Sequence, residues 1–127
     1  MKTVSIVAPV YNEEPVLTVF YQSLSAVLSP LPYQTEIIFV NDGSSDGSEE
    51  RLNRIAESDR RVRALHLSRN FGHQAALCAG LNAASGDYVV TLDSDGQHPP
   101  RLIPEMIALA ESVGRSEERR VGKECRS

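Results

Sequence analysis

With 127 residues, 41% hydrophobic and 24% charged, the chain has the composition of one ordinary globular domain with a small core. Its net charge of -4 comes without a basic face, which argues against a nucleic-acid polymer as the main partner but leaves room for a nucleotide held through a metal ion. No apolar run approaches the ~20 residues that span a bilayer, and Met1-Lys2-Thr3 leads straight into a strand pattern without a signal peptide, so the expectation is a soluble, cytoplasmic chain.

The β-branched run from Thr3 to Val10 predicts a first strand, opening at Tyr11-Asn12-Glu13-Glu14 into a polar loop. From Pro15 to Leu28, Val16, Leu17, Phe20, Leu24, Val27 and Leu28 recur at helical spacing. Glu36 to Val40 predicts a second strand, followed by the turn Asn41 to Gly47. Ser45 or Asp46 is placed to cap the next helix, whose apolar face carries Leu52, Ile55 and Ala56. Val62 to Leu67 is a third strand, and Gln74 to Ala84 an alanine-rich helix whose small residues Ala76 and Gly80 suit close packing on a sheet. Ser85-Gly86 reads as a glycine C-cap, Tyr88 to Leu92 as a fourth strand, and Leu102 to Ala110 as a fourth amphipathic helix. Four alternations of strand and helix with short connections mean a parallel α/β sheet, with ligands at the carboxyl ends of its strands. Cys78 and Cys125 make neither a metal-ligand spacing nor a disulfide framework, and Cys78 reads as a small core residue. The domain is expected over residues 1–112. Residues 113–127, rich in Arg, Lys and Glu and without periodicity, are expected to be a disordered or non-native tail. Arg115 to Ser127 resembles the in-frame translation of a sequencing adapter.

The chemistry concentrates after the fourth strand. Asp93 and Asp95, at i and i+2, converge on one point and repel each other unless a cation lies between them. Their hard oxygens suit Mg²⁺ or Mn²⁺ rather than zinc. Gly96 permits a sharp turn, Gln97 offers a neutral oxygen, and Pro99-Pro100 ends the strand and can open a helix. A bare Asp-x-Asp is more often an acidic turn; the strand before it and the Gly-Gln-x-Pro-Pro after it reverse that preference. In a parallel sheet Tyr11-Asn12-Glu13, Asn41-Asp42-Gly43, Arg69-Asn70 and Asp93-Ser94-Asp95 all fall on one edge. There is no Gly-x-Gly-x-x-Gly and no phosphate-loop motif. A diphosphate would therefore be held through a metal on Asp93 and Asp95, with a ribose and base reaching Tyr11, Glu13 and Asp42. Arg69 either steers a phosphate or makes a surface ion pair. His66 reads as structural, His73 as a cap or surface residue, and His98 as loop packing.

Pro9-Val10-Tyr11-Asn12-Glu13, Val40-Asn41-Asp42-Gly43-Ser44-Ser45-Asp46 and Asp93-Ser94-Asp95-Gly96-Gln97-His98-Pro99-Pro100 resemble family 2 glycosyltransferases. Ser68-Arg69-Asn70-Phe71-Gly72-His73-Gln74-Ala75-Ala76-Leu77 resembles their polyprenyl-phosphate branch, the dolichol-phosphate mannosyltransferases and undecaprenyl-phosphate glycosyltransferases. The resemblance covers roughly residues 2 to 112 and implies a GT-A fold, a Rossmann-like, mainly parallel sheet flanked by helices, here truncated. It implies inverting transfer of a sugar from a UDP- or GDP-sugar to a polyprenyl phosphate in cell-wall or lipopolysaccharide glycan assembly. By that likeness Pro9, Tyr11, Glu13, Val40 and Asp42 line the nucleoside pocket, and Asp93, Ser94 and Asp95 meet the diphosphate. Asp93, Asp95 and Gln97 hold Mg²⁺ or Mn²⁺, and Asp93 and Asp95 carry the catalysis. A lipid monophosphate acceptor is already anionic and needs no strong general base. Family members continue into an acceptor half that this chain lacks. The alternative is thus an inactive nucleotide- or metal-binding fragment, with an exposed sheet edge that favours homo-oligomers. A full-length protein would work at the inner face of a membrane. A phosphate-accepting receiver domain is set aside, since Lys2 and Lys123 are the only lysines and neither follows a later strand.

Overall fold

The structure, a computed structural model, describes residues 2–93 and 100–113. In chain order it has β1 (Thr3–Val10), α1 (Glu14–Leu28), β2 (Gln34–Asn41), α2 (Ser48–Ser58), β3 (Val62–His66), α3 (His73–Ala83), β4 (Tyr88–Thr91), a 3₁₀ turn (Pro100–Leu102) and α4 (Ile103–Val113). The strands form one sheet in the order β3-β2-β1-β4, and every pairing is parallel. A parallel sheet is covered on both faces, which is why β1 reads as an almost unbroken apolar run and why seven of its eight residues are buried.

Alternation along the strands divides the core. Val4, Ile6, Ala8 and Val10 of β1 join Ile37 and Phe39 of β2 on the face covered by Leu17, Phe20, Leu24 and Leu28 of α1. Leu52 and Ile55 of α2 and Ile103 and Ile107 of α4 complete that face. The opposite residues Ile38 and Val40 pack with Ala76 of α3. Helix α3 lies close to the sheet because it presents small residues there. A Cβ on buried Gly80 would stand 2.3 Å from Val7 Cγ1, so even one methyl group would displace the strand's side chain.

The boundaries differ from the sequence expectation where the chain is polar. β2 starts at Gln34, two residues early, because its ladder with β1 runs from Thr3↔Gln34 to Val10↔Asn41 through residues that an apolar pattern does not mark. β3 ends at His66 and β4 at Thr91, yet Leu67 N still donates to Asn41 O and Leu92 N to Val7 O, both at 2.9 Å. α3 begins at His73. Gly86 is not its cap: the C-cap residue is Ala84 in an extended conformation, and Gly86 N donates to Ser5 Oγ at 2.9 Å. Cys78 is half-buried on α3, where the sequence suggests a small core residue.

The amino edge of the sheet is closed by paired charges. Arg61 binds the Asp59 carboxylate through Nε (3.0 Å) and Nη2 (2.7 Å), and Tyr21 Oη donates to the same group at 2.5 Å. Arg61 holds the Asp59 carboxyl well below the usual carboxylate range against the opposing effect of burial, and Tyr21 adds to the depression. Burial raises the Glu36 carboxyl, but hydrogen bonds from Ser5 Oγ, from the amide and hydroxyl of Ser85, and from Arg63 outweigh it, so the net shift is downward.

Candidate functional site

The strand order reverses between β1 and β4, which opens a crevice at their carboxyl ends. The loops that reach this edge brace one another. Asn12, at φ 52°, accepts from Ser45 N (2.8 Å) and Asp46 N (3.3 Å) on Oδ1, while its own amide donates to Ser44 Oγ at 2.9 Å. Glu13 N donates to Ser48 Oγ at 3.1 Å. Asp46 accepts from Ser48 N (2.9 Å) and Glu14 N (3.3 Å), so one carboxylate serves the first turns of both α1 and α2. What burial Asp46 has raises its carboxyl; these bonds outweigh that and lower it. The N-cap of α2 is Gly47, without a side-chain cap bond, in place of the expected Ser45 or Asp46; Asp46 reaches Ser48 N from one residue before it. Asn41 Oδ1 accepts from Ser44 N at 3.0 Å, and Asn41 Nδ2 donates to His66 Nδ1 at 3.1 Å. His66 Nε2 donates in turn to Asn53 Oδ1 at 2.8 Å, a structural role as expected.

Asp42 is almost fully buried, at 4% exposure. Its Oδ1 accepts from Phe71 N at 2.8 Å and its Oδ2 from Gly72 N at 3.1 Å, which fixes the turn entering α3. The loop after β2 and the loop after β3 approach so closely that only glycine fits at position 43. Gly43 sits at φ +69°, and a Cβ there would lie 2.2 Å from the Arg69 carbonyl carbon. The Arg69 guanidinium stacks 4.6 Å from the Phe71 ring centroid, a contact different from both roles the sequence left open for it.

Between these loops lies a cleft of about 270 Å³ lined by Pro9, Tyr11, Glu13, Asp42 and Asp93 among the residues singled out from sequence. Val10, Asn70, His73 and Ala76 line it too. Val40 does not; its side chain is buried in the core under α3. Ser94, Asp95, Gln97 and His98 lie outside the described residues. His73, expected as a cap or surface residue, opens α3 with an exposed side chain, and its Nε2 also faces Asp93 Oδ1 at 3.7 Å across the cleft. The available signal was its position, one residue past the turn that follows β3, hence on the same edge as the acids.

The Asp93 side chain is 31% exposed and opens on the cleft, so it offers a hard oxygen donor where a divalent cation with a phosphate ligand has room. Among the described residues no group of three His, Cys, Asp or Glu side chains gathers. A cation on Asp93 would also take phosphate oxygens and water, as Mg²⁺ does in most phosphate-handling sites.

Comparison with known proteins identifies the family. Residues 5–116 match Glycosyl transferase family 2. The chain belongs to that family. As a family 2 chain it is 46% identical over 104 residues to a bactoprenol glucosyl transferase of Shigella phage SfV, covering 82% of this chain and 34% of that one. It is also 46% identical over 112 residues to an undecaprenyl-phosphate 4-deoxy-4-formamido-L-arabinose transferase of Yersinia enterocolitica, covering 87% of this chain and 34% of that one. A mannosyltransferase from Pyrobaculum calidifontis, solved with GDP-Man and Mn²⁺, superposes with a TM-score of 0.68 at 27% identity, over 78% of this chain and 29% of that one. The fold is that of GT-A glycosyltransferases, as expected. The chain spans about a third of the length of the curated relatives it matches.

Proposed function

We propose that this chain is the donor-binding part of a glycosyltransferase that moves a sugar, with inversion, from a UDP- or GDP-sugar to a polyprenyl phosphate at the inner face of a membrane. The observation that carries this reading is the gathering of Tyr11, Glu13, Asp42 and Asp93 on one cleft at the sheet's switch point. Pro9, Tyr11, Glu13 and Asp42 hold the nucleoside, with Val40 supporting that wall from the core. Each Asp42 oxygen already takes one amide hydrogen bond and can accept a second from a base or ribose donor. Asp93, Ser94 and Asp95 meet the diphosphate, and Asp93, Asp95 and Gln97 are the cation's protein ligands. When bound, Mg²⁺ or Mn²⁺ supplies Lewis-acid stabilisation of the charge left on the departing diphosphate. The acceptor phosphate attacks the anomeric carbon from the face opposite that leaving group. Asp93 and Asp95 keep the leaving group in line, and no protein base is required. Among the described residues no helix is long and apolar enough to cross a membrane. Self-association through the sheet edge at β4 belongs to the same proposal.

A second reading, a nucleotide- and metal-binding fragment without transfer, is consistent with the 34% coverage of the relatives. A transfer assay separates the two. The purified chain is mixed with UDP- or GDP-[¹⁴C]sugar, Mn²⁺ and a short polyprenyl phosphate, and the label is followed into the organic phase. Label extracted with the lipid supports the first reading. Nucleotide binding with all label left in water supports the second, and no nucleotide binding contradicts both.

A further inference from the structure

We propose that His73 Nε2 is a ligand of the same divalent cation that Asp93 binds, and that this imidazole makes the site favour Mn²⁺ over Mg²⁺. The inference rests on the donor-site reading of the cleft and adds a residue to it.

At 3.7 Å the His73 Nε2 to Asp93 Oδ1 separation is too long for a hydrogen bond. Two adjacent ligands each about 2.1 Å from an octahedral cation stand about 3.0 Å apart. Closing the difference needs a side-chain adjustment of under about 1 Å, within ordinary rotamer freedom. The His73 side chain is 61% exposed, so little packing opposes that adjustment. Its backbone, by contrast, is held: the Phe71 and Gly72 amides just before it are bound by the buried Asp42 carboxylate. A fixed main chain with a side chain able to turn suits a ligand that closes on its ion when the substrate arrives.

The chemistry of the donor set points the same way. A plain ion pair would need a protonated imidazole, whereas coordination uses the neutral ring with its lone pair on Nε2. All-oxygen sites suit Mg²⁺, and an added imidazole nitrogen shifts preference toward the transition metals. Beside the oxygens of the other ligands and the diphosphate, one imidazole nitrogen changes the character of the set.

Pulsed electron paramagnetic resonance on the purified chain with Mn²⁺ and UDP tests this directly. The expected result is one imidazole nitrogen coupled to Mn²⁺, shifted by [¹⁵N]histidine labelling, together with phosphorus coupling from the nucleotide. His73→Gln should abolish the nitrogen coupling, leave the phosphorus coupling, and reduce Mn²⁺ affinity in the presence of UDP by about tenfold, with Mg²⁺ affinity changed far less. His98→Gln should leave the nitrogen coupling intact. Mn²⁺ and UDP bound without a histidine nitrogen, or a coupling that survives His73→Gln, overturns the assignment and leaves the donor site standing. Failure of Mn²⁺ and UDP to bind at all contradicts the donor site itself, and this assignment with it.

Discussion

At the amino edge of the sheet, Asp59 and Glu36 are each held by an arginine and by hydroxyl donors; at the carboxyl edge, Asp42 is held by two backbone amides and Asp93 faces an imidazole across open volume. Both edges collect carboxylates at strand ends, but they use them differently. The amino-edge acids are consumed by the fold, locking the approaches to β2 and β3. The carboxyl-edge acids border a cleft of about 270 Å³, with the loops around them braced by Asn12, Asn41 and Asp46. Substitutions should therefore separate: those at the amino edge should cost stability and spare binding, and those at the exposed Asp93 the reverse, with buried Asp42 serving both.

The largest expected effect comes from the joint that shapes the carboxyl edge. Gly43→Ala should lower stability by about 2–4 kcal/mol in urea unfolding, because it adds a positive-φ penalty to a backbone clash with Arg69. Next is Asp93→Ala, expected to weaken Mn²⁺-dependent UDP or GDP binding by about 100-fold, equivalent to about 2.7 kcal/mol, with the unfolding midpoint unchanged. Isothermal titration beside a thermal melt reads both halves of that statement. Asp59→Asn should do the converse, lowering stability by about 1.5–3 kcal/mol through lost charge-assisted bonds while nucleotide affinity stays at its original value.

That variant should also change the pH profile. The folded state holds the Asp59 carboxyl below its unfolded value, so its stabilisation is full above about pH 4 and is lost as pH falls toward the depressed folded value. Glu36 contributes with the same sign. Unfolding followed from pH 7 to pH 2 should show a steeper acid decline in the original chain than in Asp59→Asn. The smallest effect belongs to the surface: Arg54→Ala removes a 3.6 Å pair with Glu50 whose side chains are 76% and 77% exposed, and should shift stability by less than about 0.5 kcal/mol.

The fold was legible because buried parallel strands write themselves as β-branched runs and the covering helices as 3.6-residue periods. Gln34 and Thr35 were missed as strand because their place is set by pairing with β1, which leaves no apolar mark. In the cleft, Tyr11, Glu13, Asp42 and Asp93 were legible as polar residues at strand ends. Val40 was attached to the site by likeness alone, and strand alternation turns its side chain into the core. His73 was judged by its helix, and the arrangement that matters is its distance to a residue twenty positions later on another loop. Such distances depend on the turn that Asp42 fixes, and no local pattern in the sequence encodes it.

Titration of UDP and GDP into the purified chain, first in Mn²⁺ and then in EDTA, tests the central claim most directly. The account predicts saturable, one-to-one binding of at least one of the two nucleotides in Mn²⁺, lost in EDTA and lost in Asp93→Ala. A folded chain that binds neither nucleotide, or binds one equally well in EDTA, would contradict it.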